Sequence, residues 1–219
     1  MSTPDKRLAK HAKHLMEPPA AFLEEKLKLF NTTTAEFDKL DSLLICALRK
    51  GVLIHPKSAT PKLIDIVSHT KAVTPESLDV LKELVGVPNR AYAKNPRQVP
   101  QLHGVEAKTV AKLPATVAIS KLEPELKQTF FQVSHDLLQG PTDARLLARS
   151  GYKQTVAAML KGAQRIPVFV APDLIVCDGD LVTFGGYAAL YFNNVIVYGN
   201  GRIRLGNQTK LHAYQIKHV

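Results

Sequence analysis

The last quarter of the chain repeats at an offset of 21 residues, and this constrains its fold more than any other feature. LIVCDGDLVTFGGYAALYFNN (Leu174 to Asn194) aligns with VIVYGNGRIRLGNQTKLHAYQ (Val195 to Gln215). Ile175/Ile196, Val176/Val197, Gly185/Gly206 and Leu190/Leu211 are identical, and Leu174/Val195, Val182/Ile203 and Phe184/Leu205 stay apolar. A third copy begins at Ile216. A period of about 20 to 50 residues marks stacked supersecondary units. Here the unit is short strands joined by Gly/Asn/Asp turns, as in one coil of a β-solenoid. The same residues also fit hairpins. Asn200-Gly201 is a strong two-residue turn signal, which makes a small antiparallel sheet the alternative.

Two coils bury no core by themselves; about three are needed, with both ends capped. The segment before Ile166 is expected to cap one end. The other end is then an open strand edge, which recruits partners or self-associates. Lys217 and His218 have a second reading, as polar residues that protect that edge.

Residues upstream read as helical. Ala20 to Phe30 is amphipathic after Pro18-Pro19. Thr34 to Gly51 carries Phe37, Leu40, Leu44 and Ala47 at helical spacing, with Thr33 or Thr34 as cap and Glu36 in the first turn. Thr60-Pro61 and Thr74-Pro75 each announce a further helix, and together a helical hairpin. From Val87 to Pro124 prolines oppose regular structure, apart from a short strand at Ala115 to Ile119. Helices return at Glu123 to Leu138, Thr142 to Ser150 and Gln154 to Ala163. The expected class is therefore α+β, with a mostly helical N-terminal two-thirds and a β-rich C-terminal repeat domain. The divisions are a helical region 1–86, a proline-punctuated connector 87–122, a helical cap 123–165 and the repeat 166–219.

The formal charge of +10 suggests a polyanion partner. It is spread along the chain, however, with no arginine-rich arm, so a solvated basic surface explains it as well. The start of the chain has no apolar signal-peptide core, and no run approaches a membrane span. The default is a soluble, cytoplasmic protein, with non-classical export left open. Cys46 and Cys177 are too few for a disulfide framework and read as two buried thiols.

Chemistry-bearing clusters are sparse. Asp173, Asp178 and Asp180 fit calcium or acid/base work, but the second repeat replaces two of them with Gly199 and Gly201, which indicates turn chemistry. His11, His14 and Glu17 share a helical face but read as a solvated tail. Ser134-His135-Asp136 are consecutive and point apart, so they form no triad. Cys177 paired with a distant His would make a nucleophile pair, but nothing in the sequence selects the His. No P-loop, GxGxxG, GxSxG or HExxH occurs. No catalytic residue, metal site or cofactor is expected.

The remaining candidate is a flank of Tyr187, Tyr191, Tyr198 and Tyr214 beside Arg202, Arg204 and His212, suited to a glycan or a protein interface. Cross-strand packing is the competing reading of those rings. The expected function is a non-catalytic structural or interaction protein that uses residues 166–219 for self-association or partner binding. The alternative is a module for an anionic polymer or carbohydrate; a polysaccharide-acting enzyme ranks last.

Overall fold

The computed structural model describes residues 9–46, 51–56, 66–94, 119–142, 147, 150–162, 165–206 and 209–219. The chain divides into two compact units. One combines residues 1–73 with 166–219, and the other is 74–165.

The first unit is built on two sheets. The larger has five strands in the order β1 (Leu43–Ile45), β4 (Ile166–Val176), β6 (Ala189–Val197), β8 (Lys210–His218), with β3 (Thr70–Val73) also paired to β4. The smaller runs β2 (Val52–Ile54), β5 (Leu181–Phe184), β7 (Arg202–Leu205). Every pairing is parallel except β3 with β4. Since β6 occupies one edge of β4, β1 and β3 share the other. β4 is apolar nearly throughout, as expected of a parallel strand covered on both faces. Phe169, Phe184 and Phe192 meet between the sheets with ring centroids 5.4–5.9 Å apart, amid Ile45, Ile54, Leu190 and Val195.

Helices α1 (Ala20–Leu29) and α2 (Thr34–Phe37) lie over the opposite face of the larger sheet. Phe30, just past α1, packs 5.6 Å from Tyr191 and edge-on, 5.2 Å, to His212. Phe37 reaches Tyr191 at 6.0 Å. Thr33 caps α2 through a full capping box with Glu36. Helix α3 (Ile66–His69) ends on His69, whose ring stacks on Phe169 and whose Nε2 lies 2.9 Å from the Asp41 carbonyl.

The second unit is helical: α4 (Leu78–Val85), α5 (Asn89–Lys94), α6 (Pro124–Gln139) and α7 (Ser150–Gly162). Leu78, Leu81, Leu84, Phe130, Val133, Leu137 and Met159 are buried. The Val87 N–H donates to the Leu138 carbonyl at 2.8 Å. The buried Lys82 ammonium donates to Gly140 O at 2.6 Å and Asn89 Oδ1 at 2.8 Å. Burial lowers the Lys82 pKa, against a smaller opposing pull from Asp79.

These elements correct the expected class. The protein is α/β, with parallel sheets of five and three strands and helices in the middle of the chain. It is not a helical N-terminal region followed by a solenoid-like repeat domain. Strand β1 arises inside an expected helix, and β2 and β3 arise elsewhere in the region 1–86 expected to be helical; they complete sheets whose other strands come from 166–219. The Thr34 to Gly51 helix stops at Phe37, and the apolar run Leu43-Leu44-Ile45 becomes a strand. A short apolar run carries either periodicity, and here tertiary pairing with β4 decides it. The antiparallel alternative fails as well, because Val195–Val197 and Arg202–Leu205 belong to different sheets. The 21-residue offset is instead the register of parallel neighbours: Leu174 faces Val195, Val182 faces Ile203, and Leu190 faces Leu211.

Helix α5 falls inside the expected connector, and α4 is capped by Ser77 rather than Thr74. The expected helix starting at Thr60-Pro61 lies largely outside the described residues, as do the strand at 115–119 and most of the helix at 142–150.

Candidate functional site

The strand registers place side chains in rows across the larger sheet, and two rows carry polar chemistry. The first is Ser42, Asp173, Asn194 and Gln215, one residue beyond or within the paired segments. Pro172 has no N–H to give, and the inward-facing positions shift there, from Phe169 and Ala171 to Leu174 and Val176. Asp173 and Asn194, the pair just past this shift, are both buried. The Ser42 hydroxyl donates to Asp173 Oδ2 at 2.8 Å, and Asn194 Nδ2 donates to Asp173 Oδ1 at 2.7 Å. The Asn194 amide also exchanges two bonds with the Met16 backbone, at 3.0 and 3.1 Å. The row ends on β8, where Gln215 Oε1 is buried with no hydrogen-bond partner among the described residues.

The second row caps the strand ends: Cys46, Cys177, Tyr198 and Val219. The backbone N–H groups of Cys177, Tyr198 and Val219 donate to the carbonyls of Ile45, Val176 and Val197 at 2.8–2.9 Å, so the four positions follow one another across the sheet. Cys46 and Cys177 are disulfide-bonded, with Cα atoms 4.9 Å apart. That is the ordinary spacing of neighbouring strands and lies within the range a disulfide spans. The expectation of two separate buried thiols is thereby corrected; β1 pairing beside β4 is what joins residues 131 apart in sequence.

A 3₁₀ turn, Ala12–His14, lies over this row. His11 Nδ1 is 2.8 Å from the Tyr198 hydroxyl, and His14 packs edge-on to the same ring at 5.8 Å. Lys217 Nζ lies 3.3 Å from His14 Nδ1. His11, Cys46 and Cys177 are all half-buried, and their ligand atoms lie within 4.8 Å of one another. Burial, then His14 and Lys10, hold the His11 pKa below its usual value. Burial, then Lys217 and Lys13, do the same for His14. The segment read as a solvated tail is thus docked on the sheet, and the exposed Glu17 is not part of the cluster.

The open edges form the other candidate surface. β1 and β2 begin their sheets and β8 and β7 end theirs, so β7 and β8 finish at the same end of the unit. Among the described residues β8 pairs on one side only, with β6, over nine residues. Ile216 is 65% exposed. After Asp180 the chain contains no Asp or Glu, while Arg202, Arg204, Lys210 and Lys217 all follow it.

Of the seven residues expected to form a binding flank, Tyr191 and His212 are register neighbours under Phe30 and Arg202 and Arg204 share a face of β7, while Tyr187, Tyr198 and Tyr214 contact other residues. Tyr187 is buried, its hydroxyl 3.0 Å from Thr70 Oγ1. Tyr191 is fully buried under Phe30 and Phe37 and donates to Asn193 Oδ1 at 2.7 Å. Burial raises the pKa of both. Tyr198 belongs to the cystine row. His212 lies against Phe30, and Tyr214 is 5.3 Å from Phe22. Arg202 and Arg204 alone are exposed, on one face of β7. Asp178 accepts the Asn200 N–H at 2.6 Å, which is turn chemistry joining successive turns.

Sequence reasoning missed both rows. Asp173, Asn194 and Gln215 stand 21 residues apart, but they are not identical, so an alignment by identity passes over them. The selection of His11 as the histidine beside Cys177 needs the fold. No helix among the described residues is long and apolar enough to cross a membrane. Set beside protein-family models, curated proteins and solved structures, the chain matches none.

Proposed function

We propose that the sheet unit is a non-catalytic interaction module that takes up an extended, acidic segment of a partner protein as an additional strand on β8. The observation that carries this reading is the edge itself. A nine-residue strand that ends its sheet pairs with a described strand on one side only. Such an edge is a template for strand addition. Strands β6, β7 and β8 between them carry Arg202, Arg204, Lys210 and Lys217 and no Asp or Glu. Like charge opposes a second copy docking edge to edge and favours an acidic segment.

The test is fluorescence anisotropy of a labelled peptide alternating Glu and Val, against a version interrupted by prolines at equal charge. Binding of the alternating peptide at least about tenfold tighter, weakened when Lys210 and Lys217 are both changed to Glu, supports strand addition. Equal binding of both peptides would instead support a general anionic-polymer surface. Arg202 and Arg204, exposed side by side on β7, favour that second reading. In that case affinity falls steeply with salt and is lost in the R202A/R204A variant. Dimers that persist at high salt with no peptide binding would make the occupant another copy of this chain.

A further inference from the structure

We propose that Cys46, Cys177 and His11 form a redox-gated zinc site: closed as a disulfide under oxidising conditions, and a Cys2His metal site once reduced. The three ligand atoms already lie within 4.8 Å of one another. Zinc–sulfur and zinc–nitrogen bonds of about 2.3 and 2.0 Å put tetrahedral ligand atoms roughly 3.5–3.8 Å apart, so the two bonded sulfurs part on reduction while the imidazole stays within reach. Two thiolates and one imidazole are the donor set that borderline-soft Zn2+ prefers, and three protein ligands leave a fourth position for water or an incoming group.

The surroundings fit a ligand set better than a purely structural crosslink. All three residues are half-buried, within reach of a reductant and of an ion. Tyr198 engages His11 through Nδ1, which orients the ring and leaves Nε2 as the nitrogen for the ion. Cys46 and Cys177 are held side by side by the β1–β4 ladder, so cleavage of the sulfur–sulfur bond leaves them adjacent.

The chemistry balances. A dithiol reductant gives two electrons to the Cys46–Cys177 bond and closes to its own disulfide. The bond breaks, and each cysteine sulfur takes one proton. Zn2+ then displaces both thiol protons to solution as it binds the two thiolates and His11.

The test uses the full chain, reduced with a phosphine and desalted without oxygen, beside the oxidised protein. Zn2+ is titrated in competition with a chromophoric chelator, and Co2+ serves as a spectroscopic probe. The reduced protein is expected to bind one ion per chain and to give thiolate-to-cobalt charge-transfer absorption, while the oxidised protein gives neither. His11→Ala should weaken zinc by more than the roughly tenfold loss expected of Tyr198→Phe, an outer partner. The oxidised wild type keeps the fold without thiolates, so the comparison stands even if the C46S/C177S variant folds poorly. Equal affinity in the reduced and oxidised proteins would overturn the site. So would a His11→Ala variant that binds zinc as tightly as wild type.

Discussion

Asn194 joins three segments of the chain through one side-chain amide: Asp173 on β4, its own strand β6, and the backbone of Met16. Because all of these groups are buried or partly so, truncation strands a carboxylate oxygen and two backbone groups at once. Asn194→Ala is expected to cost about 2–4 kcal/mol in denaturant unfolding. A loss under about 0.5 kcal/mol would mean that the row is not a stabilising network. Glu36 behaves differently because it is exposed. The Thr33 backbone N–H, and then Lys71 at 3.1 Å, hold its carboxyl at about 2, below its ordinary 4.5. Its folded pKa is depressed, so its contribution is complete above the ordinary value and lost as pH falls toward about 2. An NMR titration should place the Glu36 midpoint well below 4.5 and show it rising in Lys71→Met. At this scale the sequence was informative where chemistry is local: the Thr33/Glu36 cap is legible in four residues. It was silent where chemistry crosses the fold, because neither the cystine nor the Asp173–Asn194 bond leaves a local pattern.

At the scale of elements, parallel register is the organising fact. The 21-residue offset, visible by eye, is the ladder between β4 and β6, β6 and β8, and β5 and β7. What could not be read was the far side of β4. β1 is a three-residue strand in a segment whose apolar spacing suits a helix equally well, β2 is as short and follows the expected helix stop at Gly51, and their partners β4 and β5 select the extended form. The disulfide pins β1 to β4 across 131 residues, and a chain-entropy estimate gives roughly 4–5 kcal/mol for closing so long a loop. Reduction should therefore lower the unfolding midpoint by an amount worth about 2–5 kcal/mol, measured on oxidised and reduced protein under identical conditions. Indistinguishable midpoints would show that β1 docks equally well without the crosslink. Ala20–Leu29 was legible throughout, since its apolar face and proline start are signals that tertiary contacts do not override.

At the scale of the whole molecule, the larger sheet of the sheet unit is packed on both faces. α1 and α2 lie on one face, the smaller sheet faces the other, and β1 with β3 forms one edge. Like the other outermost strands, β8 pairs on one side only among the described residues; it is the longest of them, and β6, β7 and β8 carry no Asp or Glu. The anticipated aromatic flank illustrates why surface chemistry is hard to read from sequence. Four tyrosines within 28 residues suggest a platform, yet Tyr187, in the connection between β5 and β6, and Tyr191, on β6, are buried, and Tyr198 and Tyr214 pair with residues from the N-terminal segment. The arginines, whose charge keeps them in water, stayed where the sequence put them.

The most direct test is residue-resolved hydrogen–deuterium exchange of the full chain, with and without the alternating Glu/Val peptide. In the free protein, amides of β6 should exchange slowly, and about every second amide of β8 should exchange fast, since each strand residue points its N–H to alternate edges. Addition of the peptide should slow those β8 amides and leave β6 unchanged. A β8 already protected throughout in the free chain, or one unaltered while the peptide is bound, would contradict strand addition at this edge.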